Sequence, residues 1–499
     1  MSEKDSETTL RNNIDAVKTI VRTVKTTLGP LGRDKLMVDG GGNTIVTNDG
    51  ATILRELDVA HPAGKMVIEC AQTQESLCYD GTTSSVVLAG ELLSNSEALM
   101  NKGLHPNVVC KGYNEAANMA IDYLLDVLSQ ECNSDELLEA IARTAITGKT
   151  VDASLNDVAA LCVQAVNKAG DAEKVRVLSL PGGGLRDSYL FNGAIVNKDL
   201  TLEKEIDGVQ NIILLNGGLE PQKTEENIQV QLDMQGYTQF KSSANDDLLE
   251  QAKLILEQMP DEGGLVFVRD GALDHVCAYL YKHNVSVVRR LPESTMRALS
   301  ATLGIPVAQT PSDIECGATG HISRQRHYDV NYLFVGGQIE SDQSTLVLRG
   351  ATNTTLDEIE RGFDDALGVV SLCMNGDTLV AGGGSAFAAM ASHLRSRAAS
   401  TQGRSQMAIE AFADSLEIIP ATIAENGGQD PLDCILALRH EIQQGVFYYG
   451  PDLENGGVTS MTALGVYEPT SLVKQAVLSA TEVTTAILKI DDMIAKKSV

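Results

Sequence analysis

Several patterns that mark particular protein classes are missing from this chain of 499 residues. It has no tryptophan, and aromatic residues make up only 4% of it. No apolar run reaches about 18 residues, the length at which a helix could span a bilayer. Residues 1–9 are polar and acidic, unlike the apolar core of a secretory signal peptide. These absences argue against a membrane-spanning or secreted protein.

Basic residues are also scarce. Lys and Arg number 39 against 67 Asp and Glu, which gives a formal net charge of −28. Surfaces that bind nucleic acids or anionic membranes depend on basic patches. We therefore predict neither a nucleic-acid partner nor a membrane partner.

Paired cysteines are missing as well. The nine cysteines are scattered without a C-x-x-C pair, and neither Cys nor His shows the spacing of zinc ligands. In a long chain without a signal peptide, this pattern is typical of free thiols in a reducing compartment. The predicted location is the cytoplasm.

The most informative stretch that is present is Asp80-Gly81-Thr82-Thr83-Ser84, which precedes apolar residues at helical spacing. The pattern predicts a helix whose first free N–H groups face Asp80. Helix N-termini bind phosphate because unpaired donors and the positive end of the helix dipole coincide there. Asp80 would repel a bare phosphate, so a phosphate site here makes sense only if Asp80 holds Mg²⁺. The alternative, an ordinary Asp cap on a core helix, is the better interpretation of this short stretch taken by itself.

A second Asp-Gly pair occurs earlier in the chain. Two β-prone runs, Lys35–Asp39 and Thr44–Asn48, are joined by glycines and predict a hairpin. This hairpin leads into Asp49-Gly50, directly before another apolar helical run. With two Asp-Gly turns that each open a helix, nucleotide binding becomes the better interpretation. One aspartate would hold a metal and the other would position water.

Glycine turns and isolated charges supply further candidates. Gly29-Pro30 ends the first helix in a tight turn, and Gly382-Gly383-Gly384 precedes another helix. Lys149, directly after Gly148, fits either a solvated helix end or a side chain that reaches a γ-phosphate. Asp365 falls on the helix face opposite Phe363 and Leu367, where it can point into a cleft.

The order of segments predicts one domain interrupted by another. Both ends of the chain are helical in pattern, whereas the block 194–345 alternates strands with helical runs, as in an open α/β domain. Within it, the polar segment Met234–Phe240 is predicted to be irregular, before a helix over Asp246–Met259. The predicted strands of this block are Leu265–Val268, Val285–Arg290 and Pro306–Ala308.

Short motifs along nearly the whole chain match a known family in the same order. These motifs are Thr27–Pro30, Thr47–Leu54, Asp80–Thr83, Val87–Leu93, His105-Pro106, Leu348–Thr352, Asp365–Leu367, Gly382–Gly384, Glu410–Asp414 and Ala424–Gly428. On this basis the sequence resembles group II chaperonin subunits, the archaeal thermosome and eukaryotic cytosolic TCP-1 type. Tyr79 departs from the pattern, since the family usually has glycine before the aspartate.

The resemblance implies a multidomain α and α/β architecture, the chaperonin fold. A mostly helical equatorial domain, a small intermediate hinge domain and an α/β apical domain with a helical lid protrusion would make up each subunit. Such subunits form homo- or hetero-oligomeric double rings of about 16–18 subunits that enclose unfolded client proteins. The implied boundaries are 1–130 and 379–499 (equatorial), 131–193 and 346–378 (intermediate), and 194–345 (apical, lid near 233–260).

The same resemblance implies ATP/ADP and Mg²⁺ as ligands. Asp80 would bind Mg²⁺, while Asp49 and Asp365 would position and activate the attacking water. Lys149 would sense the γ-phosphate and Glu468 would contact the ribose. The remaining nucleotide-binding residues would be Leu28, Gly29, Pro30, Gly50, Gly81, Thr82, Thr83, Ser84, Gly383 and Gly384.

Three functional hypotheses follow from these observations. The first is an ATP-driven protein-folding chaperone, which the complete trio Asp49, Asp80 and Asp365 favours. The second is a chaperonin-derived scaffold or holdase with weak or no ATP turnover, which the departure at Tyr79 keeps open. The third is a small-molecule phosphotransferase with an inserted domain, which leaves the lid-like segment unexplained.

Overall fold

The computed structural model describes residues 3–38, 41–42, 44–149, 155–220, 234–260, 262–314, 317–327, 330–338 and 342–492. Its contacts divide the chain into two compact units. The first combines Met1–Val166 with Thr352–Val499, and the second is the continuous segment Asn167–Ala351. One unit is thus interrupted in sequence by the other. The finer boundaries of an equatorial, an intermediate and an apical domain stay a prediction.

Helices dominate the first unit and are fewer in the second. A π-helical turn, Leu124–Leu128, continues one of them. Among the described helices, none is both long and apolar enough to cross a bilayer. The α-helices are α1 (Glu3–Lys25), α2 (Gly50–Glu56), α3 (Pro62–Cys78), α4 (Thr82–Asn101), α5 (Pro106–Tyr123), α6 (Asp135–Ile146), α7 (Leu155–Ala169), α8 (Met234–Glu257), α9 (Asp274–Lys282), α10 (Glu293–Leu303), α11 (Asn353–Met374), α12 (Ser385–Ala398), α13 (Ser405–Leu416), α14 (Ile418–Asn426), α15 (Pro431–Gln443) and α16 (Thr470–Leu488).

The strands form one large sheet and several small ones. They are β1 (Lys35–Val38), β2 (Thr44–Thr47), β3 (Arg176–Pro181), β4 (Tyr189–Phe191), β5 (Ala194–Val196), β6 (Gly208–Leu215), β7 (Gly264–Val268), β8 (Val285–Val288), β9 (Ala318–His327), β10 (Val330–Gly337), β11 (Thr345–Gly350), β12 (Leu379–Ala381), β13 (Tyr449–Pro451), β14 (Val458–Ser460) and β15 (Tyr467–Pro469). The sheet orders are β5-β10-β9-β6-β7-β8, β3-β11-β4, β1-β2, β12-β15 and β13-β14.

Helices α4 and α16 lie at the centre of the first unit. Consecutive residues Val86, Val87 and Leu88 of α4 are all buried, and so are Leu472 and Val473 of α16. A helix that is apolar on every side is stable only inside a core. Helix α4 packs against α16, α1, α3 and α13. The core thereby holds the N-terminus of α4 in a defined place.

The predicted hairpin is confirmed. Strands β1 and β2 are antiparallel, with Lys35 opposite Thr47. Only Asn48 and Asp49 separate the hairpin from α2, so Asp49 lies directly at the N-terminus of that helix. This connection brings one of the two Asp-Gly pairs to a helix start, as the sequence pattern predicts.

The second unit has the predicted α/β architecture. Parallel strands β6, β7 and β8 are extended by the antiparallel strands β9, β10 and β5. One apolar cluster joins the sheet to α10 through Met296 and Leu299. Another joins it to α8 and α9 through Ile255 and Val276. Helices therefore cover both faces of the sheet.

Two local predictions in this unit are wrong. Met234–Phe240, predicted to be irregular, begins α8, which continues without a break to Glu257. Pro306–Ala308 is not a strand, because Ala308 makes only an isolated bridge to Leu215. That bridge lies beyond the point where β9 stops pairing with β6. Pro306, at the start of the predicted strand, has no backbone N–H group for a ladder hydrogen bond.

Candidate active site

A pocket of about 360 Å³ lies within the first unit. The predicted site residues that line it are Leu28, Gly29, Pro30, Asp49, Gly50, Asp80, Gly81, Thr82, Thr83, Ser84, Lys149, Gly383 and Glu468. Two predicted residues are absent from the lining. Gly384 packs on α14 instead, where an added Cβ would lie 2.9 Å from the Pro420 nitrogen. Asp365 reaches the site through its contact with Lys149.

The N-terminus of α4 has free hydrogen-bond donors at the pocket. Its N-cap is Gly81 in the left-handed conformation, with φ 79°, and no side chain caps the helix. Oδ1 of Asp80 accepts a hydrogen bond from the Gly81 N–H at 2.7 Å, outside the helix. Asp80 is therefore not the helix cap that the alternative interpretation requires. The first N–H groups of α4 remain available for an anion.

Asp49 is the N-cap of α2. Its carboxylate accepts hydrogen bonds from the N–H groups of Ala51 at 3.3 Å and Thr52 at 2.8 Å. These bonds fix the carboxylate at the pocket wall next to α4. The capping role and a role in the site are compatible, because a carboxylate has more lone pairs than these two bonds use.

Gly50 joins the two Asp-Gly turns by close packing. A Cβ at this position would lie 2.3 Å from Oγ1 and 3.2 Å from the backbone nitrogen of Thr83, in the first turn of α4. A side chain at this position would have to displace the Thr83 hydroxyl group and shift the first turn of α4. The glycine is thus required by the approach of two chain segments rather than by its own backbone angles.

Gly50→Ala is expected to weaken binding of Mg-ATP, the ligand that the sequence analysis predicts, by about tenfold or more, because overpacking typically costs about 1–3 kcal/mol. Gly184→Ala is the matched control, since an added Cβ there would meet nothing closer than 3.9 Å. Isothermal titration with Mg-ATP measures both. Equal affinities for the two variants would contradict the packing argument.

Lys149 and Asp365 form an ion pair across the first unit. Nζ of Lys149 donates to Oδ2 of Asp365, and the two side chains are only 12% and 18% exposed. Burial opposes the charge of Lys149, but the carboxylates of Asp365, Asp80 and Asp49 outweigh it and raise the pKa of this lysine. The lysine therefore stays protonated. Burial raises the pKa of Asp365 above its ordinary value. The nearby Asp80 and Asp49 act in the same direction, and Lys149 acts in the opposite one.

Glu468 lies on β15, opposite Val380 of β12 and beside the glycine triplet. Burial, together with the nearby Asp80, raises the pKa of Glu468 to about 7, although a hydrogen bond from the Gly383 backbone acts in the opposite direction. The carboxyl group changes charge near neutral pH. It can donate a hydrogen bond when protonated and accept two or more when ionised.

Glu468→Gln is expected to gain stability over the parent at pH 8 but not at pH 5. The folded-state pKa of about 7 lies above the ordinary 4.5, so the parent loses stability as pH rises through this interval. Glutamine cannot ionise, which removes a cost of up to about 3 kcal/mol, because one pKa unit corresponds to about 1.4 kcal/mol. Thermal melts of the ligand-free protein at both pH values measure the effect, with Glu454→Gln as the exposed control. The same shift in Tm at both pH values would contradict it.

Loops around the site are held by side-chain amides. Nδ2 of Asn48 donates to the Gly148 carbonyl at 2.8 Å, and Nδ2 of Asn426 donates to the Leu28 carbonyl at 2.8 Å. An added Cβ at Gly148 would lie 3.2 Å from the Pro30 oxygen. These contacts tie the loop of Lys149 to the hairpin and to the turn at Gly29-Pro30.

Sequence reasoning missed much of the pocket wall. Apolar side chains of α12, α14 and the segment after β14 line part of the pocket, and so does the loop between β13 and β14. The missed lining residues include Arg143, Phe387, Ile419, Ile423, Asp452, Leu453, Asn455, Met461 and Leu464. Only the glycines Gly456-Gly457 gave a local signal, because they mark the hairpin turn.

The pocket lining combines two chemically different sets of groups. Apolar side chains such as Phe387, Ile419 and Ile423 suit a flat ring, and Asp49, Asp80 and Lys149 accompany the free N–H donors of α4. Lys149 interacts with three carboxylates, those of Asp365, Asp80 and Asp49, so excess negative charge remains around it, which a divalent cation would neutralise. Among the described residues, no group of three or more His, Cys, Asp or Glu could hold a metal alone. A cation at Asp80 would therefore share its coordination with phosphate oxygens and water, the usual mode for Mg²⁺.

Comparisons with known proteins extend over both units. The model of the TCP-1/cpn60 chaperonin family matches residues 20–498. Thermosome subunit alpha of Halobacterium salinarum is 39% identical over 495 residues, covering 97% of this chain and 88% of the relative. The thermosome subunit of Methanopyrus kandleri is 37% identical over 509 residues, covering 98% and 92%. Thermosome subunit alpha of Thermoplasma acidophilum is 37% identical over 506 residues, covering 98% and 91%.

Proposed function

Because this chain belongs to the TCP-1/cpn60 chaperonin family, we propose that it is an ATP-hydrolysing subunit of a double-ring protein-folding chaperone. Its partners would be other chaperonin subunits, identical or paralogous, and unfolded client proteins. The cytoplasm would be its location. Helix α8 falls in the range proposed for the lid protrusion, 233–260.

The observation that carries the proposal is the meeting of two Asp-Gly turns in one pocket. Asp49 and Asp80 stand at the N-termini of α2 and α4, and Gly50 lets the two turns pack against each other. An acidic residue at a helix start repels an anion, so a pair of them suits a phosphate that arrives with a cation. A scaffold without turnover has no need of this second carboxylate.

The phosphates would bind the first N–H groups of α4 and the hydroxyl groups of Thr82, Thr83 and Ser84. Asp80 would hold Mg²⁺, whose presence neutralises phosphate charge and favours transfer to water. The apolar wall formed by Ile419, Ile423 and neighbouring side chains would accept the base. Glu468 would contact the ribose, for which its ability to donate or accept a hydrogen bond is suited.

Asp49 and Asp365 would orient the attacking water, and one of them would accept its proton. General-base help of this kind contributes about 10²–10⁴-fold to a rate. In the structure the carboxylate of Asp365 is paired with the ammonium group of Lys149. We propose that Lys149 moves its ammonium group from Asp365 to the γ-phosphate, which frees the carboxylate for water. Hydrolysis would then require nucleotide to be bound before the base becomes available.

The proposal is tested by measuring particle mass, ATP hydrolysis and refolding of a denatured reporter enzyme on the same preparation. We expect megadalton-scale rings, hydrolysis that depends on Mg²⁺, and reporter recovery that requires ATP. A non-hydrolysable ATP analogue is the control for binding without turnover. Rings without hydrolysis would support the scaffold or holdase instead, and a monomer with a small-molecule phosphate acceptor would support the phosphotransferase.

A further inference from the structure

Tyr79, the residue directly before Asp80, has an unfavourable backbone conformation. It is the C-cap of α3, with φ 63° and ψ −24°. Residues other than glycine rarely adopt this left-handed backbone conformation, because their Cβ atom comes too close to the following carbonyl oxygen. Such strain persists only where surrounding contacts stabilise it, and it is often found at functional sites. The contacts of the Tyr79 side chain are therefore expected to offset this backbone strain.

The ring of Tyr79 packs against a glycine inside α11. A Cβ at Gly368 would lie 2.1 Å from Cγ of Tyr79 and 2.5 Å from its Cβ and Cδ1. No other residue type can replace Gly368 without moving the ring or the helix. Glycine within a helix is itself destabilising relative to alanine. Two locally unfavourable residues thus meet in one contact.

This contact joins the two parts of the proposed hydrolysis machinery. Tyr79 is covalently attached to Asp80, whose carboxylate is hydrogen-bonded at the start of α4. Gly368 follows Asp365 by one helical turn, on the same side of α11. On the preceding turn, an added Cβ at Gly362 would lie 3.4 Å from Cβ of Lys149. Helix α11 therefore contacts Lys149 at Gly362, three residues before Asp365, and Tyr79 at Gly368, three residues after it.

We propose that Tyr79 is a positioning residue that holds α11, and with it Asp365, at a fixed distance from the phosphate-binding turn. This inference rests on the proposed ATP hydrolysis. The ring does not touch the reacting atoms but sets where the Asp365 carboxylate stands once Lys149 leaves it. A displacement of about 1 Å in a catalytic group can lower a rate by about 10²-fold. Loss of the ring should therefore lower kcat more than it weakens ATP binding.

Tyr79→Ala and Tyr79→Phe separate the ring from its hydroxyl group. Particle mass and Tm are recorded first, so that only assembled variants are compared. We expect Tyr79→Ala to lower kcat by about tenfold or more while the Kd for Mg-ATP changes by less than about threefold. Tyr79→Phe keeps the ring and should retain kcat within about twofold. Tyr79→Gly, which also removes the backbone strain, should lose kcat as Tyr79→Ala does.

A double-mutant cycle tests the contact itself. Gly368→Ala should impair kcat strongly in the parent, and much less in the Tyr79→Ala background, where the added methyl group has room. Gly362→Ala lies in the same helix but against Lys149, so Tyr79→Ala should not change its effect.

Three results would overturn the inference while leaving the proposed function intact. They are an unchanged kcat in Tyr79→Ala, an equal loss in Tyr79→Phe, and a Gly368→Ala effect that is the same in both backgrounds. A parent protein that hydrolyses no ATP would instead overturn the proposed function, and the role of Tyr79 with it. The two failures are thus distinguished by the parent protein's own turnover.

Discussion

Asp365→Ala is expected to lower ATP hydrolysis by about 10²–10⁴-fold while the oligomer stays assembled. Two effects combine in this variant. The carboxylate that would orient water is lost, and Lys149 loses its partner in a poorly exposed place. The freed lysine can still meet a phosphate, so the Kd for Mg-ATP should stay the same or decrease. Steady-state hydrolysis and nucleotide titration on the same sample separate the two quantities.

Asp364→Ala is the matched control for this experiment. Asp364 is the preceding residue of α11, but it is exposed, whereas the side chain of Asp365 is only 18% exposed. The control should keep most of the parent rate. Asp365→Asn adds a second comparison, because it retains the shape of the side chain without its charge. If Asp365→Ala hydrolysed ATP as fast as Asp364→Ala, Asp365 would have no part in turnover.

Glu417→Ala is expected to destabilise the first unit by about 3–5 kcal/mol. Glu417 joins α13 to α14 and is 8% exposed in its side chain. Arg395 of α12 donates to it at 2.6 and 2.7 Å, and Arg439 of α15 donates at 2.9 and 2.5 Å. Removal of the carboxylate leaves two guanidinium groups without their central partner. Urea unfolding followed by circular dichroism measures the loss.

The effect of Glu417→Ala should also depend on pH. Burial opposes ionisation of Glu417, but hydrogen bonds from Arg439 and Arg395 outweigh it and lower the pKa of this carboxyl group. A lowered pKa stabilises the fold above the ordinary value of 4.5, and this stabilisation is lost as pH falls through the folded-state pKa. The difference between parent and variant should therefore be largest near neutral pH and shrink under acidic conditions.

Asp414→Ala is the control for the Glu417 network. Asp414 contacts the same Arg395 at 2.7 Å, but its side chain is 60% exposed. Exposed ion pairs contribute about 0–1 kcal/mol, so this variant should unfold close to the parent. Because α14 also carries Ile419 and Ile423, Glu417→Ala should weaken nucleotide binding as well. Equal stability of the two variants would show that burial of Glu417 contributes little.

Much of the local structure around the site could be predicted from the sequence. The start of α4 after Asp80-Gly81 and the hairpin before Asp49 follow from spacing, turn residues and hydrophobic periodicity. Met234–Phe240 could not be predicted in the same way. This segment is polar and contains Gly236, so it lacks the apolar spacing on which helix prediction depends, yet it is helical. Propensity is a weak guide, because tertiary context routinely overrides it.

Residue types and local spacing account for the chemical groups and the turns that present them: two Asp-Gly helix starts, a lysine after a glycine, and an aspartate on the polar side of α11. Which of these groups come into contact depends on the packing of the folded chain. Lys149 and Asp365 are 216 positions apart in the sequence, and Tyr79 and Gly368, which are also in contact, are still farther apart. Such contacts depend on how whole helices pack, because backbone angles and periodicity act over a few residues only. Short stretches of sequence therefore determine which chemical groups are present at each turn. The ion pair between Lys149 and Asp365, in contrast, depends on how the core packs.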